Sequence, residues 1–233
     1  MAHVRHVVCC AITLVAACAA PPRTPDERPN ILLIVADDLG YADLGAFGSE
    51  VRTPNIDGLA REGLILTQFH TAPVCAPTRA MLLTGNNNHV AGMARQAGIT
   101  ALDISIPGYE NHLSDRVAPM PALLRAAGYH TNTAGKWHLG TAAEHSPQAA
   151  GFERSFSLLH GAGNHWNATG FFEGGSLYRE DGAPVTYPEG RYSTEVFTDR
   201  LIEFIDEGRG DGRPFFALAA YTSPHWPLQV PDE

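Results

Sequence analysis

Residues 30–36 (NILLIVA) and 214–221 (PFFALAAY) are apolar almost without a break. A strand with two apolar faces has none to offer water, so both runs belong in a sheet covered on each side. Polar residues follow each run at once, Asp37-Asp38 after the first and Ser223-Pro224-His225 after the second. Between them, helical spacing marks residues 53–62 (TPNIDGLARE, closed by Gly63), 77–83, 120–127 (before Gly128) and 193–207. Residues 64–69 and 129–136 read as further strands. Strands alternating with helices predict an α/β sandwich with a mostly parallel central sheet flanked by helices. Its chemistry should gather beyond the C-terminal ends of the strands. Residues 86–119 and 160–191 are rich in Gly, Asn, His and aromatics without clean periodicity, as binding loops are.

The head of the chain is a different kind of segment. Residues 1–18 carry Arg5, an apolar run and small residues before Cys18, the pattern of a secretory signal peptide. Cleavage leaving Cys18 at the new N-terminus would make it a lipid anchor. An ordinary cut around residues 17–19 would release a soluble product, and both readings make the protein exported, periplasmic or membrane-anchored. Residues 19–29, proline-rich and charged, read as an extended linker. The folded body then spans residues 30–233. A net charge of −9 excludes the basic stripe of a nucleic-acid binder. Of the four cysteines, Cys9, Cys10 and Cys18 lie in the head, so Cys75 has no partner in the body for a disulfide.

Cys75 stands in TAPVCAPTRAMLLTG, residues 71–85. Pro77 suits the first helical position, which puts Cys75 at the mouth of a helix where unpaired N–H groups favour an anion. Arg79, one turn on, can fold its guanidinium back to the same spot. A lone cysteine is otherwise a small buried hydrophobe. In GKWHLG, an extended backbone points Lys136 and His138 the same way and turns Trp137 into packing. A fixed cation beside a proton carrier suits an anionic ester, the plainer alternative being a solvated pair. Asp37 and Asp38 are hard oxygen ligands for a divalent cation such as calcium, or else loop-capping residues. The prolines of SPHWP would aim His225 at the same sheet edge, although a structural loop histidine fits equally.

Together these motifs resemble the sulfatases, and within them the bacterial arylsulfatases of the cysteine type. Cys75-x-Pro77-x-Arg79 with the trailing LLTG, GYHTNTAGKWH, PNILLIVADDLGYADLG and SPHWP fall in the family's order. The resemblance implies an alkaline phosphatase-like fold and a nucleophile made after synthesis, formylglycine derived from Cys75 by a formylglycine-generating enzyme. It implies that Asp37 and Asp38 ligate calcium together with residue 75, and that Arg79 holds the hydrated aldehyde. His138 would serve as base, and Lys136 with His225 would bind the sulfate of a small-molecule sulfate ester.

The resemblance also implies an Asp-Asn pair and a further lysine beyond the SPHWP region, and this sequence has neither; Lys136 is its only lysine. Residues 30–233 are therefore read as the N-terminal part of a sulfatase catalytic domain, truncated at the C-terminus. The 233 residues alone are expected to be poorly soluble and weakly active, with 214–221 as an exposed edge. Two alternatives stand beside sulfatase: a formylglycine-dependent phosphonate monoester or phosphodiester hydrolase, and a non-catalytic remnant.

Overall fold

The computed structural model describes residues 28–96, 106–170 and 174–232. The signal peptide, Cys18 and residues 19–27 of the linker lie outside the described residues. Among the described residues, six strands form one sheet in the order β1-β6-β2-β3-β4-β5. These are β1 (Ile31–Asp37), β2 (His130–Lys136), β3 (Arg154–Leu158), β4 (Tyr178–Glu180), β5 (Ala183–Pro184) and β6 (Phe215–Pro224). The pairs β1/β6, β6/β2 and β2/β3 are parallel, while β4 and β5 add an antiparallel margin. Helices α1 (Pro54–Glu62), α2 (Cys75–Thr84), α3 (Met120–Ala126) and α4 (Ser193–Glu207) complete the layers. This is the α/β architecture read from the sequence.

The alternation along β6 shows how the layers are specified. Phe216, Leu218 and Ala220 face a core shared with Ala76, Ala80 and Leu83 of α2. Ala217 and Ala219 face the opposite core, filled by Val196, Phe197, Leu201 and Phe204 of α4. Small residues on that face let α4 lie close to the sheet. Burying each large α4 side chain contributes roughly 1.5–3 kcal/mol before entropic costs. The α4 boundaries match the sequence pattern residue for residue.

Four expectations change. Residues 64–69 form no strand: Leu64, Leu66 and Phe69 are exposed, because the segment finds no sheet partner among the described residues. The first strand is apolar on both faces but covered on one, since α4 sits over β6, β2 and β3; Leu32 and Ile34 are about half exposed. The second apolar run is not an edge, because β6 is paired on both sides and the edge falls to β1. The helix expected from Pro77 begins at Cys75, with Pro77 third, where a missing N–H still costs no helical bond.

One glycine matters for the site. Gly135 has φ +119°, and a Cβ there would lie 1.9 Å from the carbonyl oxygen of Ala220 on the neighbouring strand. Only glycine lets β2 approach β6 at this register, immediately before the strand ends at Lys136.

Candidate active site

Three strands end at one place. Asp37 is the last residue of β1, Lys136 the last of β2, and His225 directly follows β6. Helix α2 starts opposite them at Cys75, with Ala76, Pro77 and Ala80 buried, so the thiol is held at the site by a packed helix.

The Cys75 Sγ lies 3.3 Å from His138 Nδ1. His138 is 7 % exposed and its ring rests on the backbone of Gly161, where a Cβ would come within 2.3 Å of it. Its orientation arises differently from the extended reading. β2 stops at Lys136, and His138 adopts a left-handed backbone with φ 59°. That turn, not strand periodicity, delivers His138, while Lys136 is carried to the site by the end of β2 itself. Trp137 between them is buried as expected and donates its indole N–H to the His145 carbonyl.

Two buried cations stand beside the Cys75–His138 pair, Arg79 acting on the thiol and Lys136 on the imidazole. Lys136, whose side chain is fully buried, donates to Asp37 Oδ2 at 2.5 Å. Arg79 donates to the Lys136 carbonyl at 2.7 Å and places a second guanidinium nitrogen 3.6 Å from Asp37 Oδ1. Arg79 Nε and that second terminal nitrogen are buried with no hydrogen-bond partner. Buried donors left open are costly unless an acceptor arrives, so this corner can take the oxygens of an anion. Burial lowers the Arg79 pKa, and Asp37 pulls it back up. His225 Nε2 lies 3.6 Å from Asp38 Oδ2, which brings the last expected residue to the same edge.

Burial lowers the His138 pKa to about 3, with Lys136, Arg79, His225 and His160 adding repulsion. The imidazole is therefore neutral near pH 7 and can accept a proton. Between the unfolded value near 6.5 and the folded value near 3, the unfolded chain binds the extra proton, so stability falls as pH drops through that window. The expected result is a loss of a few kcal/mol in urea unfolding between about pH 6.5 and 3, flattened by His138→Gln. An equally steep profile in that variant would assign the loss elsewhere.

The expected calcium ligands fit less well. Asp37 and Asp38 are adjacent, but Asp37 is engaged by Lys136 and Arg79, and Asp38 has φ 64° with a side chain 63 % exposed. Two carboxylates fall short of the roughly six to eight oxygens calcium takes. Among the described residues, no group of three or more His, Cys, Asp or Glu is placed to hold a metal ion. These residues do not make a calcium site by themselves.

Sequence reasoning missed His160 and Gly161 individually while reading their loop as a binding segment. His160 faces His138 electrostatically, and its Nδ1 accepts the Leu177 N–H at 3.3 Å. The clue was two histidines in the glycine-rich stretch HGAGNHW.

Comparison with known proteins bears on this geometry. The chain is 44 % identical over 224 residues to an uncharacterized sulfatase of Schizosaccharomyces pombe, covering 89 % of this chain and 40 % of that protein. It is 41 % identical over 213 residues to an arylsulfatase of Klebsiella aerogenes, covering 89 % of this chain and 45 % of the relative. It thus spans less than half the length of these relatives. Among solved structures it superposes on Ps i-CgsB in complex with k-i-k-neocarrahexaose with TM-score 0.73 and 31 % identity, over 88 % of this chain and 47 % of that one. The fold is accordingly of the alkaline phosphatase-like type shared by these structures. The sulfatase family profile matches residues 29–233, nearly everything after the head segment, and with Cys75, Arg79, Lys136 and His138 gathered at one sheet edge the chain belongs to the sulfatase family.

Proposed function

We propose that this chain carries the ester-cleaving centre of a sulfuric ester hydrolase acting on small-molecule sulfate esters, with Cys75 converted to formylglycine as nucleophile. The observation that carries it is Cys75 Sγ at 3.3 Å from a neutral, buried His138 beside the open donors of Arg79. The residue-75 position fits a hydrated aldehyde, because a base and a cation already flank its reactive atom. That hydrate supplies two hydroxyls, one to attack sulfur and a second to expel sulfate and restore the aldehyde.

The chain's own groups do the rest. His138 Nδ1 accepts the proton of the hydroxyl nearest it. Arg79 offers N–H groups to the sulfuryl oxygens, whose charge grows as the ester bond breaks. Lys136 holds Asp37 in place and keeps positive charge behind the anion. His225 faces the same space through Nε2, 3.6 Å from Asp38 Oδ2; in its doubly protonated form it would hand the Nε2 proton to the departing alcohol. Asp37 and Asp38 are proposed to contribute two carboxylates to a calcium site.

The test compares p-nitrophenyl sulfate with bis-p-nitrophenyl phosphate as substrates of the protein. Higher kcat/KM for the sulfate is expected, and a preference for the phosphodiester would favour the phosphodiesterase reading. The protein is proposed to be exported through residues 1–18. Labelling with radioactive palmitate that disappears in Cys18→Ala would support a lipid anchor, and absence of label in the parent would support soluble export.

A further inference from the structure

His165 sits away from the thiol, yet it is 2 % exposed and bonded on every polar atom. Its Nε2 lies 3.3 Å from the His225 carbonyl oxygen. A carbonyl only accepts, so Nε2 carries the proton and Nδ1 is the acceptor. Nδ1 in turn lies 2.7 Å from Ser193 Oγ and 3.3 Å from Thr222 Oγ1. The main chain is tied just as firmly, with the His165 N–H donating to Gln229 Oε1 at 2.9 Å and its carbonyl accepting from Ser193 N at 2.8 Å. The imidazole thus clips the first turn of α4 to the segment after β6 that bears His225.

That segment is also braced by its own backbone, the His225 N–H donating to the Thr222 carbonyl at 3.0 Å and the Gln229 N–H to the Pro227 carbonyl at 2.9 Å. Tyr192 and Thr194 hydroxyls hold Ser223 Oγ at 3.0 Å each, which anchors the start of the turn. His225 Nδ1 donates to the Trp226 carbonyl at 2.5 Å, which turns Nε2 toward Asp38 and the anion corner. The bond from His165 acts on the backbone between these two, at the residue whose ring must be aimed. Burial lowers the His165 pKa, in keeping with a neutral ring of fixed tautomer.

We infer that His165 is a positioning residue for His225: its Nε2–H fixes the His225 carbonyl, and its Nδ1, held by Ser193, fixes the ring that does so. This rests on the functional reading above, in which His225 serves sulfate ester cleavage. A displacement of the ring by an ångström costs about 10²-fold in rate where the group must be in register with a reacting atom.

The two ring nitrogens can be tested apart. His165→Gln places an amide donor near the Nε2 position, and His165→Asn reaches only the Nδ1 position. The expected result is kcat/KM for p-nitrophenyl sulfate lowered about 10- to 100-fold in the Asn variant and largely rescued in the Gln variant. In the His225→Ala background, His165→Asn should cost nothing further, because the residue it aims is gone. Full additivity of the two losses overturns the inference and makes His165 a purely structural residue. A His225→Ala variant as active as the parent overturns the functional role of His225 instead. The His225 ring NMR signal, identified by its loss in His225→Ala, should shift in the Asn variant and not in the Gln variant, independently of turnover; an unmoved signal in both contradicts the inference. If the Asn variant does not fold, Ser193→Ala combined with Thr222→Val, which together free the Nδ1 side, is expected to shift the same signal, and no shift there also overturns it.

Discussion

Sulfate ester turnover is expected to fall on the order of 10⁴-fold or more when Cys75 is replaced by alanine, with the fold kept. The side chain is small, partly exposed and at the first position of α2, so its loss leaves no large cavity. Serine at this position separates two halves of the chemistry. A single hydroxyl beside His138 can attack sulfur, but it carries no second hydroxyl to expel the sulfate. Cys75→Ser should therefore give at most one turnover per molecule, visible as a stoichiometric burst of p-nitrophenol with no steady state. Turnover in Cys75→Ala close to that of the parent would remove residue 75 from the mechanism.

The second large effect concerns stability. Lys136→Met keeps the apolar stem and removes the ammonium, leaving the buried Asp37 carboxylate with Arg79 at 3.6 Å as its remaining cation. Taking the nearer of its two cations from a buried carboxylate costs up to about 3–5 kcal/mol, read as a lower urea midpoint. Adding Asp37→Asn removes the stranded charge as well, so the double variant should recover much of the loss. A Lys136→Met protein as stable as the parent would show that the pair is not a buried ion pair in solution.

How much of this was legible beforehand depends on the kind of signal. Helix α4 and the two apolar runs were readable because amphipathic spacing and unbroken hydrophobicity are local and strong. Strands β3, β4 and β5 were not read, being two to five residues long, with their pairing set by distant partners. Residues 64–69 failed in the opposite sense: their composition suits a strand, but a strand exists only where a neighbour offers a ladder.

At the site, residue types were readable and geometry was not. The spacing of Cys75, Pro77 and Arg79 announced a helix mouth, and the helix does begin there. Lys136 and His138 were rightly paired for a wrong reason, because the left-handed turn at His138 is invisible to a period-two argument. His225 was placed at the correct edge, while the histidine that clips its backbone lies 60 residues earlier in the chain. Contacts at such separation are decided by the topology that brings α4 and β6 together.

The most direct test of the central claim is the mass of the tryptic peptide spanning residues 62–79 after co-expression with a formylglycine-generating enzyme. The expected result is a peptide lighter than the cysteine form at residue 75, reactive toward a hydrazide and inert to iodoacetamide. A peptide that stays at the cysteine mass and is fully alkylated would contradict the account.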